Sequence, residues 1–259
     1  MEETREKLRS LREQTGKARE AEVRISPPPE AISPPEEVRR KAWYEAYRWF
    51  ISSDGFLVVA GKDAASNEAL VKKHAEAGDL LLHADIHGAP FVLIKAGGRE
   101  VPRTTLEEAA QVAVAYSRAW RYGLGAATAF CFKPDQARKV GPHGEKLPKG
   151  AFYIAGRKDY VRKVRPQLAI GVSPEAEKKV LVGPVGAIAS RAKAYVVIGP
   201  GDLKAEEVIS RSLSLLRKML GDIPLPPGAE ASLSSLIPYG RGRVISGPHR
   251  GRAGERPSD

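Results

Sequence analysis

The residues best equipped for chemistry lie in Asp79 to Lys95, DLLLHADIHGAPFVLIK. Two apolar runs, Leu80 to Leu82 and Phe91 to Ile94, flank His83, Asp85 and His87, and Gly88-Ala89-Pro90 reads as the bend between two strands. If the first strand continues through His87, period-two alternation puts both imidazoles and the carboxylate on one face. Such a trio could ligate zinc or manganese and serve a metal-dependent hydrolase. It could equally satisfy itself at a strand end, or stack on bases and bond to phosphate or a 2′-hydroxyl. The other histidines, His74, His143 and His249, are scattered, so a third ligand is not evident. No cofactor is expected.

A second chemistry is electrostatic. The formal net charge is +11, and the segment 133 to 165 alone carries ten basic and three acidic residues. Lys133, Arg138, Lys139, Lys146, Lys149, Arg157, Lys158, Arg162, Lys163 and Arg165 offer phosphate contacts, with Phe132, Phe152, Tyr153 and Tyr160 interleaved as stacking platforms. Charge focused in this way points to a polyanionic partner. Gly61-Lys62-Asp63 is a second anion site, and Gly199-Pro200-Gly201-Asp202 a weaker one, with Asp202 more simply an N-cap. Cys131 sits in an apolar run and reads as a buried hydrophobe; alone, it excludes a disulfide within the chain. No apolar run reaches the roughly 20 residues that span a bilayer, and a soluble cytoplasmic protein without membrane contact is expected.

These residues need a scaffold, and the chain at 259 residues is long enough to bury one. The expected fold is α+β, a mixed sheet flanked by helices, with a short charged N-terminal helix and a mobile C-terminal tail. Residues 1–35 read as the charged helix and a Pro-rich linker, 36–165 as the principal domain, 166–238 as an α/β extension packed on it, and 239–259 as a basic flexible tail. Trp43 to Phe50 and Phe56 to Ala60 form a hairpin about Ser52-Ser53-Asp54-Gly55, and Asp63 caps a helix from Ala64 to about Ala77. Thr104 and Thr105 with Glu107 and Glu108 make a capping box for a helix running through Trp120 to Gly123. Ala126 to Phe132, Ala151 to Ala155, Leu168 to Val172, Val180 to Val182 and Tyr195 to Ile198 read as strands, with a short helix from Val185 to Ala192. Helical spacing of apolar residues carries a helix to Leu220, and Leu233 to Ile237 reads as a last strand-like piece.

Four segments in order, WYEAYRWFISSDGFLVVAGKDAASNEALV, GDLLLHADIHGAPFVLIK, VPRTTLEEAAQVAVAYSRAW and KPDQARKVGPHGEKLPKGAFYIAGRKDY, resemble the NFACT-R domain. This is the RNA-binding domain of the family that includes NEMF, RqcH and fibronectin-binding protein A. The likeness covers about Trp43 to Tyr160, and the portion beyond resembles the extension of archaeal members. It implies a non-catalytic protein of ribosome-associated quality control that binds tRNA or the large ribosomal subunit, alone or with an NFACT-N-type protein supplied in trans. By the resemblance, with the loop cations added, the RNA-binding residues are Lys62, Asn67, His83, His87, Trp120, Lys133, Gln136, Arg138, Lys139, Lys146, Arg157 and Lys158.

Overall fold

A computed structural model describes residues 42–174, 180–223 and 229–253, which fall in one compact unit, Ala42–Asp259. The expected N-terminal helix and linker lie outside the described residues. The described residues open with a 3-10 turn, Trp43–Ala46, where a strand was expected, and β1 (Arg48–Ile51) and β2 (Leu57–Ala60) then pair about the Ser52–Gly55 turn as the hairpin signal anticipates. Then come α1 (Ala64–Ala69), β3 (Leu80–Ala84), β4 (Val92–Ile94), α2 (Arg103–Ala115), α3 (Arg118–Arg121) and β5 (Ala127–Phe132). Two short strands, β6 (Ala137–Arg138) and β7 (Tyr153–Ile154), pair within the basic segment before β8 (Asp159–Val164). A second half follows: β9 (Leu168–Val172), β10 (Val180–Gly183), α4 (Val185–Arg191), β11 (Ala194–Lys204), α5 (Ala205–Leu220), α6 (Ala229–Ser234) and β12 (Arg241–Arg250).

The class is α+β. One six-stranded sheet runs β1-β2-β4-β3-β5-β8, and a four-stranded sheet runs β10-β9-β11-β12. All neighbouring strands in both are antiparallel. Alternation sorts the side chains of the larger sheet into two buried faces. Val58, Ala60, Leu82, Val92, Ile94, Ala129 and Cys131 pack on α2, whose Ala109, Ala110 and Ala113 let the helix axis lie close to the strands. Val59, Leu81, Phe91, Leu93, Phe130 and Phe132 point the other way, toward Leu70, Val71 and Phe152.

Local bonding departs from several sequence expectations. The capping box is not formed: α2 starts after Pro102 without a side-chain cap, because its first-turn polar groups serve the β1–β2 turn instead. The Thr105 hydroxyl reaches Ser52 Oγ at 2.9 Å and Asp54 Oδ2 at 2.7 Å, and Glu108 accepts from the Ser53 amide at 3.0 Å. The long helix also breaks, since Ser117 caps α3 by accepting from the Ala119 amide. After Ala69 the first helix widens into a π turn, Leu70–His74, and ends before Ala77. β11 runs straight through Gly199-Pro200-Gly201-Asp202, so Asp202 is no N-cap; the cap position of α5 is Lys204. Leu233 lies in α6 and not in a strand. The tail begins as β12, paired along β11, and residues 254–259 lie outside the described residues.

Two bonds from the end of α2 and from α3 tie the halves together. The Tyr116 hydroxyl donates to the Leu236 carbonyl at 2.6 Å, and the Trp120 indole donates to the Arg241 carbonyl at 2.7 Å.

Within the larger sheet, Asp79 is the central polar anchor. Its carboxylate is 1% exposed and accepts from the amides of Glu76, Ala96 and Gly97 and from Lys95 Nζ at 2.7 Å. It thereby joins the entry to β3 with the exit from β4. Asp79→Ala leaves three amides without this acceptor and Lys95 with only Glu76 and the His74 carbonyl, and should cost about 3 kcal/mol. Asp79→Asn, which keeps one acceptor oxygen, should lose less. Urea unfolding monitored by circular dichroism checks both.

Candidate nucleic-acid interface

His83 sits on β3 opposite Phe130 of β5, which in turn sits opposite Tyr160 of β8. Three rings thus cross three strands in one row. The imidazole approaches the Phe91 ring at 4.9 Å and the Phe130 ring at 6.0 Å, and its Nε2 lies 3.1 Å from the Ala89 carbonyl. Burial pushes its pKa below the ordinary histidine value, outweighing the backbone bonds and the Asp85 charge that favour the proton. With Nε2–H donating to Ala89, the neutral ring keeps Nδ1 as an acceptor.

The strand does not continue to His87. It ends at Ala84; the Asp85 amide still bonds to the Thr128 carbonyl at 2.8 Å, and the chain then bends through Gly88 with φ +79. Asp85 and His87 are exposed on the turn while His83 is half-buried on the sheet. The shared face required by the metal reading is therefore not built. Among the described residues, no group of three or more His, Cys, Asp or Glu side chains gathers to hold an ion.

Beside this row lies an open groove of about 970 Å³, walled by the β3–β4 turn on one side and the basic loop on the other. Lys62, Asn67, His83, His87 and Lys158 of the predicted set line it, joined by Arg48, Lys149 and Tyr239. Lys158 Nζ stands 4.7 Å above the Phe130 ring, and the Arg162 guanidinium is 5.9 Å from the half-exposed Tyr160 ring. Arg48 donates to the Gly61 carbonyl at 2.9 Å and covers the Tyr116 ring at 4.3 Å, so its charge is fixed at the groove wall. The amides of Lys62 and Asp63 both donate to Ser66 Oγ, at 2.7 and 2.9 Å. That junction therefore offers the exposed Lys62 side chain and not the cradle of amides expected of it.

The remaining predicted residues divide. Trp120 is 2% exposed and serves the core. Gln136 closes its own loop, donating to the carbonyls of Ala155 and Arg157 and accepting from the Lys133 amide, each at 2.7 Å. Lys139 Nζ is held by Glu68 at 3.2 Å and by the carbonyls of Pro148 and Ala151. Asn67, though in the groove wall, spends its side-chain oxygen on the Phe91 amide at 3.1 Å. Lys133, Arg138, Lys146 and Arg157 are exposed but do not line the groove.

Glu68 is the positioning residue that the sequence reading passed over. Its carboxylate takes Lys72 at 2.6 Å, the Gly150 amide at 2.8 Å and Lys139 at 3.2 Å, and so pins the basic loop to α1. Gly150 makes that approach possible, because a Cβ there would stand 2.7 Å from the Ala64 backbone. The one available signal was the i,i+4 spacing of Glu68 and Lys72.

Residues 46–156 match the family described as NFACT protein RNA binding domain. The archaeal Rqc2 homolog aRqcH of Methanocaldococcus jannaschii is 38% identical over 197 residues, covering 73% of this chain and 29% of that protein. The ribosome quality control complex subunit NEMF of Homo sapiens is 38% identical over 127 residues, 49% of this chain and 12% of that one. The ribosome quality control complex subunit 2 of Schizosaccharomyces pombe is 32% identical over 143 residues, 54% and 14% of the two chains. Through its NFACT-R segment the chain belongs to the NEMF and RqcH family. It spans less than a third of the length of each of these relatives.

The three cationic and amide partners hold the Glu68 carboxyl at a pKa of about 2, against an ordinary 4.5. A depressed carboxyl pKa contributes stability above the unfolded value and loses it as pH falls through the folded one. The loop pin should therefore be intact at pH 7 and disappear between 4.5 and about 2. NMR titration of Glu68, with exchange of the Gly150 amide as the readout of the pin, checks this. Glu68→Gln should speed that exchange at pH 7.

Proposed function

We propose that this chain is a non-catalytic RNA-binding module of ribosome-associated quality control, acting on tRNA or the large ribosomal subunit, or both, in the cytoplasm. The observation that carries the reading is the cationic groove, in which Arg48, Lys62, Lys149 and Lys158 stand beside the half-buried His83 and the exposed rings of Tyr153 and Tyr239. Rings presented in this way stack on bases of any type, while lysines and arginines beside them meet the phosphates. A neutral His83 imidazole in the groove wall suits a 2′-hydroxyl, the group that distinguishes RNA from DNA. The names of the human and fission-yeast relatives, both ribosome quality control complex subunits, support the cellular setting. An NFACT-N-type protein acting in trans is the further partner that the family likeness suggests.

Fluorescence anisotropy of the purified chain with labelled tRNA tests the proposal. The logarithm of the binding constant should fall with the logarithm of salt concentration, by about 0.7 to 0.9 for each phosphate contacted. Lys158→Ala and Tyr153→Ala should each weaken binding about tenfold. Absence of binding, or RNA cleavage that stops in chelator, would sink the reading.

A further inference from the structure

The first groove does not end at its own wall. Tyr239, 47% exposed and held at φ 54, lines it and also lines a second groove of about 490 Å³. Four arginines from three separate places converge there: Arg121 at the end of α3, Arg165 between β8 and β9, and Arg241 and Arg243 on β12. All four are exposed, and Tyr122, 60% exposed, stands among them. Asp202 is the one carboxylate in the lining, and it offers Arg241 its backbone carbonyl, 3.4 Å from Nη1. Among the described residues no carboxylate pairs with Arg121, Arg165 or Arg243.

The arrangement is built into the strand pairing. Gly199 pairs with Arg243 and Leu203 with Gly242, so Pro200-Gly201-Asp202 bulge from β11 between them. A Cβ on Gly199 would lie 2.3 Å from Ile245 Cδ1, and one on Gly201 would lie 2.7 Å from Arg243 Cβ. These glycines make the room that Arg243 and Ile245 occupy. Period-two alternation then places Arg241, Arg243 and Ile245 on one side of β12, with Gly242 turned inward near Trp120.

We infer that this second groove is a phosphodiester-binding site, and that RNA runs from the first groove across Tyr239 into it. The inference rests on the RNA-binding reading above and extends it beyond the matched segment, 46–156, to Arg165, Tyr239, Arg241 and Arg243. Four guanidiniums with little internal compensation fit a repeating anion, and the fork of each matches a phosphate's oxygens. The two exposed tyrosines supply ring faces for bases at the junction. Continuity through Tyr239 favours RNA over an acidic protein segment.

The test compares the whole chain with Arg121→Ala/Arg243→Ala, Arg165→Ala, Tyr239→Asn and Lys158→Ala for tRNA binding over a range of salt. Asparagine is chosen at 239 because it tolerates positive φ. The double arginine variant should lower the salt slope by about 1.4, as expected for two lost phosphate contacts to single-stranded RNA, and Arg165→Ala by about half that. Tyr239→Asn should weaken binding about tenfold. Unchanged slopes in both arginine variants, with Lys158→Ala still weakening binding, would overturn the second groove and leave the first reading standing. If the unaltered chain binds no RNA, both fall together. Loss of binding to poly-glutamate in the arginine variants, with tRNA binding unchanged, would assign the groove to an acidic protein instead.

Discussion

A six-stranded sheet has two faces, and α2 can cover only one of them. The other must be closed by what remains: the π turn with Leu70 and Val71, and the basic loop with Phe152. That loop is rich in Gly and Pro between Val140 and Gly150 and brings little apolar surface of its own. It is held by charge, through Glu68 gathering Lys72, Lys139 and the Gly150 amide. Where this cover stops, His83 is left half-buried and Tyr160 exposed, with Phe130 sealed between them beneath Lys158. The groove is the part of the second face that the chain has no element to close.

Polar pairing then decides what the open part can do. Acidic side chains elsewhere are consumed internally: Asp79 by β3 and β4, Glu108 by the β1–β2 turn, Glu68 by the loop. The groove is left with cations whose partners are aromatic rings or carbonyls. Lys158 over Phe130 and Arg48 over Tyr116 keep their charge while being held in place. A polyanion entering the groove meets few carboxylates, chiefly Asp63 and Asp85 at the rim.

Much of the fold was legible because it rests on local patterns. The hairpin about Ser52–Gly55, the strands Leu168–Val172 and Ala127–Phe132, and the helix ending at Leu220 follow from apolar period and turn chemistry alone. Misreadings fall where a distant partner outbid a near one. Thr105 and Glu108 fit a capping box by spacing, yet they bond to residues more than fifty positions earlier. Gly199-Pro200-Gly201-Asp202 has every mark of a turn, but pairing with β12 carries the strand through it as a bulge. His83, Asp85 and His87 obey strand alternation until the chain leaves the sheet after Ala84, which no residue type in that run announces.

The candidate site was legible in outline and misread in count. The ten cations of residues 133 to 165 suggested as many phosphate contacts, but sequence cannot say which of them the loop uses to hold itself. Lys139 is bound on three sides and Arg157 pairs with Asp159 at 3.2 Å. The charge that can meet a ligand is smaller than the formal excess and lies partly elsewhere, on Arg48, Lys62 and the arginines around Tyr239. The cationic surface here is therefore a residue of folding: the cations left after the loop and the sheet edges have taken theirs, beside the exposed rings of Tyr153, Tyr160 and Tyr239.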